Sequence, residues 1–260
     1  LMQVFSEFSE LEVLAFALVM IRVSSFMVSW PVFGTSNVPI SVKILVSLSI
    51  SLMLLPVIGW KTMNAAVISD QIVWLAIKEG CIGVLVGLVC GVFFGGVSGG
   101  GQVFVGRMGL ANAQLFNPAL GDSGTPVEQF QIALATLFFL GINGHHVFLT
   151  GLAESFQIIP VTKATINVQS FVHFGEIVQE IIIIGIKISA PVLIALFFIN
   201  VAMGIIGRAV PQVNVLVTGM PVNILVGLVI LIVSIPMMIG EMRDLLDVMS
   251  QHLFWMMKTV

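Results

Sequence analysis

Arg22, Lys78, Glu79, Glu180 and Lys187 stand inside long apolar runs of this sequence. A charge in such a run is costly, so each is first read as part of an ion pathway, a proton relay or a structural pair. Glu180 and Lys187 share a helix face, yet about 10 Å of rise separates them, so they cannot pair directly. Adjacent Lys78 and Glu79 diverge by about 100° on a helix. A relay needs several acids on one path, and Glu79 and Glu180 lie far apart in sequence. The expected role of these charges is therefore pairing between helices or subunits, with a secondary transporter coupled through Glu180 and Lys187 as the alternative.

Other chemistry is thinly represented. Gly96-Val97-Ser98-Gly99-Gly100 fits G-x-S-x-G, and its first four residues fit the G-x-S-G of intramembrane serine proteases, with His145 and His146 available as a base. A serine nucleophile needs that base within hydrogen-bond reach, and in a chain with 25 Gly a short Gly/Ser pattern arises by chance. Neighbouring His145 and His146 point apart on a helix, and no Cys/His/Asp/Glu set at ligand spacing completes a metal site. Cys81 and Cys90 would lie about 13 Å apart along a helix axis, beyond disulfide reach; they read as small buried hydrophobes. There is no P-loop and no dinucleotide fingerprint. The expectation is a protein without a cofactor, a metal or an enzymatic activity.

The elements that must position these residues are membrane-like. Of 260 residues, 58% are apolar and 9% charged, and the mean hydropathy is +1.13. Soluble chains carry about 25% charged residues, so a soluble domain is excluded. The net charge of −3 offers no basic excess for phosphate neutralisation, which excludes a nucleic-acid binder. Apolar stretches at 11–34, 38–60, 72–97, 130–153, 177–206 and 222–240 predict six helical segments. The fold class is all-α: a membrane-associated multi-helix protein with kinked helical hairpins, the kinks coming from Pro31, Pro39, Pro56, Pro191, Pro211, Pro221 and Pro236. Ser9 with Glu12 is a capping box that starts the first helix. Glu7, Glu10 and Glu12 stand where a cleavable signal peptide would be basic, so the first span is expected to stay.

Two connections are long, 98–127 and 154–176. The first is Gly-rich yet apolar, a texture tolerated at membrane depth only where protein buries it or it lines a cavity. Gly83, Gly87, Gly91, Gly95 and Gly99 form a small-xxx-small series suited to close helix packing. From 241 to 260, Met242, Leu246, Met249, Leu253, Met256 and Val260 recur at helical spacing, an amphipathic helix expected to dock on a partner or lie on lipid. Lys and Arg divide almost evenly between alternate connections, so orientation is left open. With four Trp and no Tyr, the usual interfacial aromatic belt is sparse.

Gly106-x-Met108-Gly109-Leu110, Asn117-Pro118, Pro126, Asn143-Gly144-His145, Ser155-Phe156, Pro160 and Gly207-Arg208-x-x-Pro211-Gln212-x-Asn214 with Gly219 and Pro221 occur in this order. As a set they resemble the FliR/SctT family of flagellar and injectisome export-gate proteins, end to end and including Arg22, Pro39 and Lys43. The resemblance implies a non-enzymatic subunit of the type III export gate in the bacterial inner membrane, at the flagellar basal body. It implies assembly with FliP-like and FliQ-like subunits and an FlhB-like switch protein around a channel for unfolded exported proteins. It implies a FliP-like part at 1–175, a FliQ-like hairpin at 176–240 and the amphipathic helix at 241–260. It also implies that the loop at 98–127 plugs the channel, with Gly106, Arg107, Met108, Gly109, Leu110, Leu115, Phe116, Asn117 and Pro118 as the plug residues. Arg107 stands where the family commonly has Gln, and Asn117 where it has Asp.

Overall fold

The computed structural model describes residues 9–31, 38–58, 65–110, 125–161, 169–210, 212 and 214–259. Among them are seven α-helices, one 3-10 turn and no strand: α1 (Glu10–Ser29), α2 (Ile40–Leu54) running into the 3-10 turn Leu55–Val57, α3 (Ala65–Met108), α4 (Pro126–Gly141), α5 (Gly144–Ile158), α6 (Gln169–Ala209) and α7 (Val215–Thr259).

Local sequence explains the helix ends. Ser9 and Glu12 close the expected capping box on α1, the Glu12 amide donating to Ser9 Oγ and the Ser9 amide to the Glu12 carboxylate at 2.9 Å. Thr125 and Glu128 repeat the device on α4, with Pro126 at the first helical position, where a missing N–H costs nothing. Pro191, Pro221 and Pro236 sit inside α6 and α7, which continue through them. α3 is interrupted by non-helical geometry at Gln71.

Three sequence expectations change. The apolar segment at 130–153 is two helices, because Asn143 takes a left-handed backbone (φ 58°) between α4 and α5. The long connection begins only after Met108, since Ser98 to Met108 is helical. Gly spacing suggested irregular backbone there, but a glycine on a helix buried among other helices costs only about 1 kcal/mol relative to Ala, which close packing offsets. The third concerns the C-terminal residues, which form the end of α7 rather than a separate element.

Among the described residues four helices are long and apolar enough to cross a membrane, within Glu10–Ser29, Asp70–Met108, Gly175–Ala209 and Val217–Met257; the broken pair α4–α5 would make a fifth span. α3, α6 and α7 have 44, 41 and 45 residues. At about 1.5 Å per residue each is some 60–70 Å long, about twice the hydrocarbon core of about 30 Å, so none is a simple span. α2 is turned inside out: Ser47 and Ser51 are buried while Ile40, Leu45 and Met53 are more than half exposed. That pattern fits a surface facing lipid or protein rather than water.

The chain forms two compact units. The first contains residues 1–92, 143–177 and 248–260, the second 93–142 and 178–247. In the first unit, α1 buries Leu18, Val19, Val23 and Phe26, and Phe26 packs on Trp30 with ring centroids 5.2 Å apart. Leu253 presses on Gly151 of α5, and Met256 and Met257 close a small void with Ile82, Val86 and Ile159. In the second unit Phe93, Phe94 and Phe139 form a ring cluster with centroids 5.1–5.5 Å apart. The amphipathic C-terminal residues, expected on a partner or on lipid, thus bury their apolar face in their own chain: Met249, Leu253 and Met256 are at most 3% exposed. The apolar periodicity was genuine, but it faced the interior of this protein.

Candidate functional site

Arg22, on the buried face of α1, is partnered on several sides within the first unit. Its Nε and Nη2 donate to the two carboxylate oxygens of Glu79 on α3, the Nη2 bond measuring 3.0 Å. Nη2 also donates to the Ile159 carbonyl at the end of α5 (3.0 Å), and Nη1 donates to Ser155 Oγ (3.1 Å), which itself donates to the Leu152 carbonyl (2.7 Å). The guanidinium carbon lies 4.1 Å from the centroid of Phe156. Arg22, Glu79 and Ser155 are fully buried. Guanidinium and carboxylate match as a fork, which is how such a pair survives burial. The node is closed to solvent within the chain; its geometry holds α1, α3 and the end of α5 together.

The first part of the glycine series allows that approach. A Cβ on Gly83 would strike the Arg22 carbonyl, and one on Gly87 would come within 2.8 Å of the Phe26 carbonyl. Gly91 has only ordinary contacts, and Gly95 and Gly99 have no other-residue heavy atom within 4 Å of that position. In the second unit the tight crossing uses a neighbouring register: a Cβ on Gly100 would lie 2.6 Å from the Gly185 carbonyl of α6.

Both ends of the long connection are anchored within the second unit. Met108, fully buried, fills the space beside Gly227 of α7, where a Cβ would come within 2.7 Å of its side chain. Gly109 then ends α3 in a left-handed conformation (φ 85°) that a side chain would oppose, its amide donating to the Gly106 carbonyl at 3.2 Å. At the return, Glu128 caps α4 and also accepts from Gln102 Nε2 (2.9 Å) and Ser98 Oγ (3.4 Å) on α3. Gln131, buried, donates to the Val97 carbonyl at 3.0 Å. Gly106 and Arg107 are exposed in the last turn of α3 and Leu110 follows it. Leu115, Phe116, Asn117 and Pro118 lie outside the described residues, as does Pro211.

The remaining sequence candidates scatter. Lys187 approaches Glu241 of α7 (3.7 Å) with its side chain 56% exposed. Lys78 lies over the Trp74 ring, 5.4 Å from its centroid. Glu180 is half-buried on α6. Ser98 donates to Glu128, which links the middle of α3 to the first turn of α4. His145 and His146, expected to point apart, meet edge to face at 4.3 Å, and no His/Cys/Asp/Glu group suited to a metal occurs among the described residues. Cys90 is buried as expected, but Cys81 is exposed. Asn143 opens α5, its carbonyl accepting from the His146 amide. Arg208, Gln212, Asn214 and Pro221 are exposed around the α6–α7 turn, where Asn214 Oδ1 accepts from the Val217 amide (3.3 Å).

Several positions that matter went unread in the sequence. The Arg22–Glu79 pairing joins residues whose partnership only the tertiary structure reveals. The Thr125/Glu128 box has the same S/T-x-x-E pattern as Ser9/Glu12 and was legible. Gly96 and Gly100 form a small-xxx-small step one residue out of phase with the series that stood out.

Together these features define an all-helical membrane protein whose buried polar groups join its helices. The chain belongs to the family described as Bacterial export proteins, family 1, which it matches over residues 13–249. Among its relatives, flagellar biosynthetic protein FliR of Bacillus subtilis (strain 168) is 34% identical, over 88% of this chain and 89% of that protein. The FliR of Pectobacterium carotovorum subsp. carotovorum is 30% identical over 90% and 86%, and that of Escherichia coli (strain K12) 25% identical over 84% and 83%.

Proposed function

We propose that this chain is a subunit of the flagellar protein export gate in the bacterial inner membrane, where it forms part of the protein-conducting channel and supplies the plug that closes it. The carrying observation is the pair of anchors on the second unit. Met108 seated beside Gly227 and the Glu128 bridge to Gln102 and Ser98 hold both ends of the connection on packed helices. Leu115 and Phe116 would seal the pore by apolar contact. FliP-like and FliQ-like subunits and an FlhB-like switch protein are the proposed partners, unfolded exported proteins the substrate, and the role is non-enzymatic. Support for an assembly comes from the apolar exposure along α6 and α7, where Phe197, Phe198, Ile205, Leu225 and Ile232 are each more than half exposed, and from helices about twice the bilayer's thickness.

The test is removal of residues 109–121 from the chain in its assembled complex in planar bilayers. The expected result is intact assembly with raised ion conductance in the resting state. Intact assembly with unchanged conductance would refute the plug, and recovery of the chain as a homogeneous monomer would refute the assembly.

A further inference from the structure

In the first unit, α3 carries a helix break beside an exposed boundary between polar and apolar residues. Gln71 is exposed and non-helical (φ −115°, ψ 18°), and a break of this kind leaves backbone N–H and C=O groups without partners in the helix. Exposed irregular backbone does not occur within hydrocarbon, so Asp70 and Gln71, both exposed, belong outside it. Just beyond them Val73, Trp74 and Ile77 are each more than half exposed. From Cys81 to Val97 the chain then has no charged residue, as a stretch inside hydrocarbon requires. α1 has its own boundary at the same level. Gly83 meets the Arg22 carbonyl and Gly87, four residues on, meets the Phe26 carbonyl, so the two helices run side by side with a constant offset. Carried back, that offset sets Ser9 and Glu10, the exposed start of α1, abreast of Asp70 and Gln71.

The side chains at this level match a headgroup layer. Lys78 stands one turn inside the apolar run but turns back, its ammonium 5.4 Å from the centroid of the Trp74 ring, as a snorkelling lysine does. Tryptophan is the residue that membrane surfaces collect. Asp70, Gln71, Val73, Trp74 and Ile77 line one open hollow of about 570 Å³. The Asp70 carboxylate thus lies about one helical turn before the ring that carries the Lys78 ammonium. Opposite charges so spaced, beside an indole and apolar side chains, complement a zwitterionic headgroup. An anionic headgroup would meet the acidic rim of Glu10 and Asp70. We infer that residues 70–78 of α3 seat the headgroup of an ammonium-bearing, zwitterionic phospholipid at one surface of the bilayer, Asp70 accepting from its ammonium and Lys78 donating to its phosphate. Headgroups and their water also supply partners to the broken backbone at Gln71, which a packed helix with its own backbone satisfied does not. The seat depends on membrane insertion and not on the export-gate role, so either can fail without the other.

The test uses the full chain in lipid nanodiscs, with the subunits that accompany it, in a Cys81→Ser, Cys90→Ala background. A nitroxide attached at Val73→Cys is expected to meet both dissolved oxygen and a water-soluble nickel chelate, the signature of headgroup depth. Contact with oxygen alone would place the position in hydrocarbon. Contact with the chelate as free as in water would place it off the bilayer, and contact with neither would place it under another protein; each overturns the seat. In nanodiscs of phosphatidylethanolamine and phosphatidylcholine with identical acyl chains, native mass spectrometry of the otherwise unsubstituted chain should find phosphatidylethanolamine enriched among the retained lipids. Asp70→Asn is expected to lower that enrichment about threefold, the worth of an exposed ion pair, and Lys78→Gln to lower retention of both lipids. Absence of the enrichment, or no change in either variant, would overturn the headgroup contacts.

Discussion

Arg22 on α1 grips both carboxylate oxygens of Glu79 on α3, and both side chains are wholly buried. The pair is reached because Gly83, one turn beyond Glu79, lets the α1 backbone come against α3. Packing and charge are thus one arrangement: the glycine brings the helices close, and closeness lets guanidinium and carboxylate meet without intervening water.

Removing one member of the pair leaves the other charged and buried. Glu79→Leu or Arg22→Met is expected to cost about 3–5 kcal/mol of stability, read as a fall in the thermal unfolding midpoint in mild detergent. The double substitution should cost less than the sum of the two singles, because neither charge is then orphaned. Additive losses would show that the fork contributes little beyond its shape.

The glycine series should respond unevenly. Gly83→Val and Gly87→Val place atoms against the α1 backbone and are expected to abolish recovery of folded chain. Gly95→Ala and Gly99→Ala meet nothing within the chain and should leave folding unchanged or raise stability by up to about 1 kcal/mol. A uniform response along the series would contradict the division.

Gly227→Val fills the seat of Met108. The expected outcome is a chain that still folds but exchanges the amide hydrogens of the last turn of α3 at least tenfold faster, the signature of about 1.4 kcal/mol lost locally. Met108→Ala should act in the same direction through lost packing. Unchanged exchange in both would show that Met108 does not hold the helix end.

Glu128 serves both the α4 cap and the bridge to α3. Glu128→Ala is expected to cost about 1–2 kcal/mol, a cap plus a hydrogen bond, whereas Gln102→Ala, which removes the bridge alone, should cost about 1 kcal/mol. Unfolding midpoints of the two variants measure the difference. Equal losses would mean that the cap contributes nothing.

Much of the fold was legible in local pattern. The capping box at Ser9 depends on residues within a few positions of one another, where propensity and hydrogen-bonding geometry suffice, whereas the break at Asn143 inside the apolar run 130–153 went unread. The Met-rich residues from 242 to 257 announced an amphipathic helix for the same reason. Periodicity, however, tells that a face is apolar and not what covers it, so the burial of Met249 and Leu253 in their own chain was beyond its reach.

Composition and spacing by themselves determined that this protein is all-helical and membrane-associated, because those properties follow from summed hydropathy and from the periodicity of the apolar runs. Only the tertiary structure decided which charges meet. Arg22 finds Glu79, and Lys187 approaches Glu241 rather than Glu180. A pair of ions is fixed by distance in space, and no sequence period carries that distance once the chain has turned back on itself. The same holds for Gly100 against Gly185 and Met108 beside Gly227. Each is half of a fit whose other half lies on a different helix, and it exists only after the helices have packed.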